Sequence, residues 1–145
     1  MINIENNGRP VDVSEIARIE ADLKAQIPAT YREFLLANNG GIPSPDIIDI
    51  DGLPGSPTDI QVFFGIDRDI ESSNIMWNFR LLSEQSSNGN YLPIACDSGG
   101  NLFCLCISGD TNHGAVYYIL NYEGFLLYTV ENDFNEFIGR IRAWE

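Results

Sequence analysis

Apolar residues recur along the chain at two spacings, one helical and one strand-like. Between residues 10 and 27, Ile16, Ile19, Leu23 and Ile27 follow the spacing of one helix face, with Glu15, Glu20, Asp22 and Lys24 left for water. Asp12 and Glu15 have the capping-box spacing, in which each side chain satisfies an orphan backbone N–H at the helix start. Pro28 cannot continue that helix without losing a hydrogen bond, but it suits the first turn of another. The second helix carries Tyr31, Phe34, Leu35 and Asn38 on one side. Asn39-Gly40-Gly41 is predicted to stop it, since glycine takes the left-handed conformation that closes a helix end. Residues 72–85 predict a third helix, with Ile75, Phe79 and Leu82 on one face and a serine as cap.

Between these helices, residues 42–58 hold four prolines and two glycines and read as a long irregular loop. Residues 59–66, "DIQVFFGI", read as a strand. The second half changes period. "YLPIAC" (91–96), "NLFCLCI" (101–107), "AVYYILNY" (115–122) and "FLLYTV" (125–130) are short β-branched or aromatic runs. Turn-like stretches separate them, at 86–90, 97–100, 108–114 and 123–124. Such close spacing favours antiparallel hairpins, since parallel strands need long crossovers. Asp133 and Glu136 repeat the capping-box spacing, and Phe134, Phe137, Ile138 and Ile141 form the stripe of a last helix. The pattern predicts one α+β domain over residues 1–145, an antiparallel multi-stranded sheet packed with N-terminal helices and a C-terminal helix.

Composition agrees with a packed domain: 44% of residues are hydrophobic and 11% aromatic. No apolar run approaches the roughly 18 residues that span a bilayer, and the opening residues lack the basic and apolar regions of a secretory signal. The expectation is a soluble, cytoplasmic protein. Charge changes the picture more. Twenty-one acids against eight bases give a formal net charge of −13, and residues 81–139 contain no Lys or Arg. Such a surface repels nucleic-acid phosphates and anionic lipid, which excludes both as expected direct partners, and steers basic partners inward.

Candidate chemistry is sparse. Gly40-Gly41 follows a helix, whereas a phosphate-binding turn precedes one, so no nucleotide cofactor is expected. Asp97-Ser98-Gly99-Gly100-Asn101 reads as a hairpin connection. Cys96, Cys104, Cys106 and His113 lack a zinc-knuckle spacing, and no third residue completes a Cys–His nucleophile. Asp49 and Asp51 begin a calcium-loop pattern that Leu53 and Ile60 break. No catalytic, metal-binding or cofactor-binding residue is assigned, and no enzyme is expected. The window from residue 46 to 71 stands out instead: Asp46, Asp49, Asp51, Asp59, Asp67, Asp69 and Glu71 share it with one base, Arg68. With Ile47, Ile48 and Leu53 as exposed apolar anchors, this window is the candidate partner-binding surface.

Several short motifs, in order, resemble the SUKH superfamily, named partly for the fungal Smi/Knr cell-wall regulators. Its early pattern of Leu-Pro, spaced Tyr and Phe-Leu, then Asn-Gly-Gly appears as Ile27-Pro28, Tyr31, Phe34-Leu35 and Asn39-Gly40-Gly41. Its Asp-x-Gly-Gly-Asn and later Gly-x-Val-Tyr appear as Asp97, Gly99-Gly100-Asn101 and Gly114-Ala115-Val116-Tyr117. The helix from Phe134 to Ile138 is similar to the family's end. Where relatives often carry Trp-Asp after Val-Tyr, this chain has Ile119-Leu120-Asn121. The resemblance implies an α+β fold and, for bacterial members, an immunity protein that binds and neutralises a cognate toxin, often a nuclease. The expected partner is thus a protein toxin with a basic surface. A regulatory scaffold of the Smi/Knr type is the alternative, and a small-ligand cleft lined by Tyr117, Tyr122 and Cys104 a third reading.

Overall fold

A computed structural model describes residues 2–86, 90–109, 112–120 and 126–144. The predicted turn at 123–124, parts of those at 86–90 and 108–114, and Asn121, Tyr122 and Phe125 lie outside them. Along the chain run β1 (Asn3–Glu5), α1 (Val13–Leu23), α2 (Ala29–Ala37), β2 (Ile42–Ser44), β3 (Ile47–Ile48), β4 (Thr58–Asp59) and β5 (Val62–Phe63). A 3₁₀ turn (Glu71–Ser73), α3 (Ile75–Ser86), β6 (Tyr91–Cys96), β7 (Leu102–Cys106), β8 (Val116–Leu120), β9 (Leu126–Glu131) and α4 (Phe134–Gly139) follow.

Strands β5 to β9 form an antiparallel meander in chain order, the topology that short turns allow. One register row crosses all five strands: Phe63, Ala95, Phe103, Tyr118 and Tyr128 are successive partners. On that side, Phe34 of α2 meets Phe63 at 5.0 Å, and Phe137 of α4 meets Phe103 at 5.6 Å between ring centroids. Tyr31 and Phe134 close the layer edge-on at 5.2 Å. Helix α3 packs along β6. Every residue of β7 is buried, which is why its sequence is an unbroken apolar run.

Helix α1 is shorter than its apolar periodicity predicts. Lys24 turns left-handed at φ 55° and its N–H bonds back to Ala21 and Glu20, ending the helix. Ile27 still reaches the core, and its N–H donates to Glu20 Oε2 at 2.8 Å. The predicted capping box is present: Asp12 accepts from Glu15 N–H at 3.0 Å and Glu15 accepts from Asp12 N–H at 3.2 Å. Before α3, Asn74 closes the turn by accepting from Arg68 N–H at 2.8 Å and donating to Arg68 and Glu71 carbonyls.

The stretch at 42–58 is not irregular throughout. It contains β2, paired with β1, and β3, paired with β4; Ile47 also bridges Arg142 near the C-terminus. The single strand predicted at 59–66 is divided, because Thr58–Asp59 pairs with β3 and Val62–Phe63 joins the main sheet. Nor do Gly40 and Gly41 cap α2 themselves, since Asn38, in extended conformation, takes that position. The glycines admit close backbone approach. A Cβ on Gly41, at φ +129°, would lie 2.5 Å from the Glu5 carbonyl oxygen, and one on Gly40 would lie 2.9 Å from that of Phe63. Gly41 and Phe63 exchange backbone hydrogen bonds at 3.0 and 2.7 Å, tying the N-terminal ribbon to the sheet.

Candidate functional site

The seven acids of the 46–71 window do not form one uniform patch; they fall into three settings. Asp49 binds Arg142 through both carboxylate oxygens, at 2.8 and 3.0 Å, and Asp51 lies 3.9 Å from Arg140. The hydrogen-bonded Arg142 guanidinium holds the Asp49 carboxyl below the usual carboxylate range. Asp59, half-buried, accepts from Ser98 N–H at 2.9 Å and also from the Ser98 hydroxyl. Asp46 stands nearby, its carbonyl accepting from Ile60 N–H at 2.7 Å. Asp67, Asp69 and Glu71 are exposed, and Asp67 pairs with Arg9 at 3.2 Å. Partial neutralisation by Arg9, Arg140 and Arg142 was not foreseeable from a window containing only Arg68. These arginines are distant in sequence and meet the window only in the fold.

Of the three apolar anchors expected beside these acids, Ile48 is fully buried and contributes to the core instead. Adjacent strand residues point to opposite faces, so pairing β3 with β4 turns Ile48 inward and leaves Ile47 half-buried. Ile47 and Leu53, with Pro54, Pro57 and Leu120, wall an open groove of about 470 Å³ whose polar side is Asp59, Asp97 and Ser98. Leu120, from the Ile119-Leu120-Asn121 stretch that departs from the related Trp-Asp pattern, is part of the groove wall.

Asp97 is the residue whose role the sequence concealed. The stretch 97–101 is the predicted hairpin turn between β6 and β7, yet Asp97 is buried. Its carboxylate accepts from Gly99 N–H at 3.0 Å, Asn101 N–H at 2.9 Å, Thr58 hydroxyl at 2.8 Å and Tyr118 hydroxyl at 2.5 Å. A buried carboxyl group is tolerated where directed donors fill its lone pairs. Burial, then the bond to Asp97, pushes the Tyr118 phenol well above its ordinary range, keeping it a neutral donor. The bonds join the β6–β7 turn, β4 and β8 into one rigid floor for the groove. An Asp followed by Gly-Gly-Asn was the available signal, but Thr58 and Tyr118 come from remote strands.

Asn39 does similar work under the window's other end. Its side chain donates to the Arg9 and Ile66 carbonyls at 3.0 and 2.9 Å and accepts from Ile66 N–H at 2.7 Å. Its carbonyl accepts from Gly8 N–H and the Arg68 guanidinium, at 2.9 and 2.6 Å. Arg68 is therefore a brace for the N-terminal turn.

The three cysteines are free. Burial pushes the Cys96 thiol up to about 11, with Asp97 and Asp59 adding to it, and burial raises Cys104 further. Both shifts oppose thiolate formation, the state a nucleophile or metal ligand needs. Cys104 is wholly buried opposite Tyr117, so it does not line an open cleft. His113 bonds the Gln26 carbonyl at 2.9 Å. Among the described residues, no three His, Cys, Asp or Glu side chains converge as a metal site, and no helix is long and apolar enough to cross a membrane.

Residues 10–140 match the model described as the SMI1 / KNR4 family (SUKH-1). No curated protein matches the chain. The matched span runs from the residue before Val11 to Arg140, and so includes the Asn39 brace, the acidic window, the Asp97 turn and α4.

Proposed function

The chain belongs to the SMI1/KNR4 (SUKH-1) family, and from that premise we propose that it is an immunity protein. It binds a protein toxin carrying a basic surface, such as a nuclease domain, and neutralises it by covering the surface the toxin works with. Family membership over residues 10–140 carries this reading, because it supports a protein-interaction or immunity role. The net charge of −13 adds the partner's sign. Like-charged nucleic acid and anionic lipid are disfavoured, and a basic protein is drawn in at a rate that falls with salt.

The contact falls on the acidic 46–71 surface and the groove beside it. Asp51, Asp69 and Glu71 lie exposed there to meet cationic side chains, while the half-buried Ile47 and Leu53 offer apolar surface backed by the Asp97 floor. Rigid support favours tight binding because little order is lost on association. The protein works in the cytoplasm, by binding alone, with no catalytic step.

The test is capture of the tagged protein from its native cells at low salt, followed by a salt gradient. One basic toxin domain eluting in equal amount, and a slower association for D51K/D69K/E71K, is the expected result. Several signalling or cell-wall proteins eluting in its place would move the protein to the scaffold role. Failure to bind the toxin encoded beside it would sink the immunity reading.

A further inference from the structure

Strand β9 is the last strand of the meander, and among the described residues no strand pairs with its outer edge. Natural edge strands are blunted by lysine, proline or inward charges, because a bare row of N–H and C=O groups is a template for another chain. Leu126, Leu127, Tyr128 and Thr129 supply none of these devices. Leu126 is 47% and Leu127 41% exposed, although they pair with the buried Leu120 and Ile119 of β8. The opposite end of the sheet is not open in this way, since β5 bridges to Gly41.

Past Thr129 the edge changes character. Arg140 donates to the Val130 carbonyl at 2.8 Å and lies 3.3 Å from Glu131, closing the edge there. Beyond it, Glu136 sits against Asp133 and Glu131. The charge on Asp133, then desolvation, then the charge on Glu131 raise the Glu136 carboxyl above its ordinary range. Arg140 offsets one of these three charges, and the remaining excess of negative charge at this end of the outer edge favours a further cation there. Arg140 also donates to the Asp49 carbonyl at 3.0 Å, so this end is continuous with the Asp49–Asp51 part of the acidic window.

We propose that β9 is a strand-addition site for an extended segment of a protein partner, with a Lys or Arg of that segment lying over Glu131, Asp133 and Glu136. Backbone hydrogen bonds to the edge give affinity, and successive side chains, one on each face of the sheet against Leu126 and Leu127, give register. A second copy of this chain fits poorly, since each copy brings a net charge of −13 and the same acidic trio. The proposal rests on the interaction reading above and assigns the Asp49–Asp51 end of the window as the part nearest the added strand.

The probe is a library of random linear peptides displayed on phage and selected against the whole protein. The expected binders carry adjacent β-branched or aromatic residues, and Lys or Arg near one end. They should slow hydrogen exchange at the backbone amides of residues 126–129. Leu127→Lys, and separately Glu131→Gln with Glu136→Gln, should each weaken them about tenfold, whereas Asp22→Lys, on the exposed face of α1, should leave them unchanged. Failure to enrich any binder, binders without a basic bias, or equal binding to the Leu127→Lys protein would overturn the proposal. So would self-association of the wild type that Leu127→Lys abolishes. If a captured toxin binds the Leu127→Lys protein as well as wild type, the β9 site fails and the immunity reading stands. If the library behaves as expected and no toxin is ever captured, the reverse holds.

Discussion

Asp97 places a carboxyl group beneath the surface and surrounds it with donors from three separate parts of the chain. Asp97→Asn turns one oxygen into an amide that must face the hydroxyls of Thr58 or Tyr118. Hydrogen bonds to a buried charge contribute about 1.5–3 kcal/mol each, so the variant should lose about 2 kcal/mol, measured by urea unfolding. Gly41→Ala acts through space rather than charge. Its methyl would collide with the Glu5 carbonyl and Ile4 Cγ2, the latter 2.6 Å away, and its φ of +129° disfavours any side chain. A loss of about 2–3 kcal/mol is expected, with β1 detaching first in hydrogen exchange. The identity of both residues was visible in the sequence, but the cause was not. Gly41 reads as a helix stop when only its neighbours are known, and as a contact between backbones once Glu5 and Phe63 are in place.

At the scale of elements, the ends of α1 illustrate what local sequence decides. Its start is fixed by Asp12 and Glu15, three residues apart, and the bonds form as expected. Its end falls at Lys24, a lysine held left-handed without the freedom glycine has. Lys24→Gly should relieve that conformation and raise stability by about 0.5–1 kcal/mol, read as an increase in Tm of a few degrees. No proline or glycine marks the position, so apolar periodicity alone carried the predicted helix on to Ile27. The β-half was the more legible. Alternating and continuous apolar runs separated by turns gave β6 to β9 nearly to the residue, because strand pairing between neighbours in sequence needs only short turns. The 42–66 region was not legible: its strands pair with β1, with each other and with the C-terminal segment, and no local pattern encodes a distant partner.

For the whole molecule, charge sets the response to pH. Asp12, Glu15 and Asp49 all have carboxyl pKa values lowered in the folded state, chiefly by hydrogen bonds to Ser14, Arg9 and Arg142 respectively. A lowered folded-state pKa means the unfolded chain binds protons more readily. These groups therefore contribute stability that is complete above the ordinary carboxylate range, about 4, and is lost as pH falls through the folded values. Thermal unfolding followed from pH 6 downward should show Tm falling below about pH 4, with a shallower fall in Asp49→Asn. Glu136 works in the other direction, its raised pKa favouring the folded state below the ordinary range and losing that contribution as pH rises through the folded value. Glu136→Gln should accordingly remove a stability loss on the alkaline side of that range.

By itself the sequence determined the α+β class, the hairpin order of the second half, the start of α1 and the acidic character of the surface. Each depends on composition or on residues close together in the chain. The family was legible too, because several short motifs keep their order over most of the length. Only the tertiary structure decided which acids stand free. Asp49 is bound to Arg142 across most of the sequence, Asp67 to Arg9, and Ile48 is turned into the core by its pairing with Thr58. It also decided that, among the described residues, no strand pairs with the outer edge of β9, since an edge is defined by the strand that fails to arrive. Charge and periodicity are summed along the chain, whereas pairing, burial and exposure exist only between parts that folding brings together.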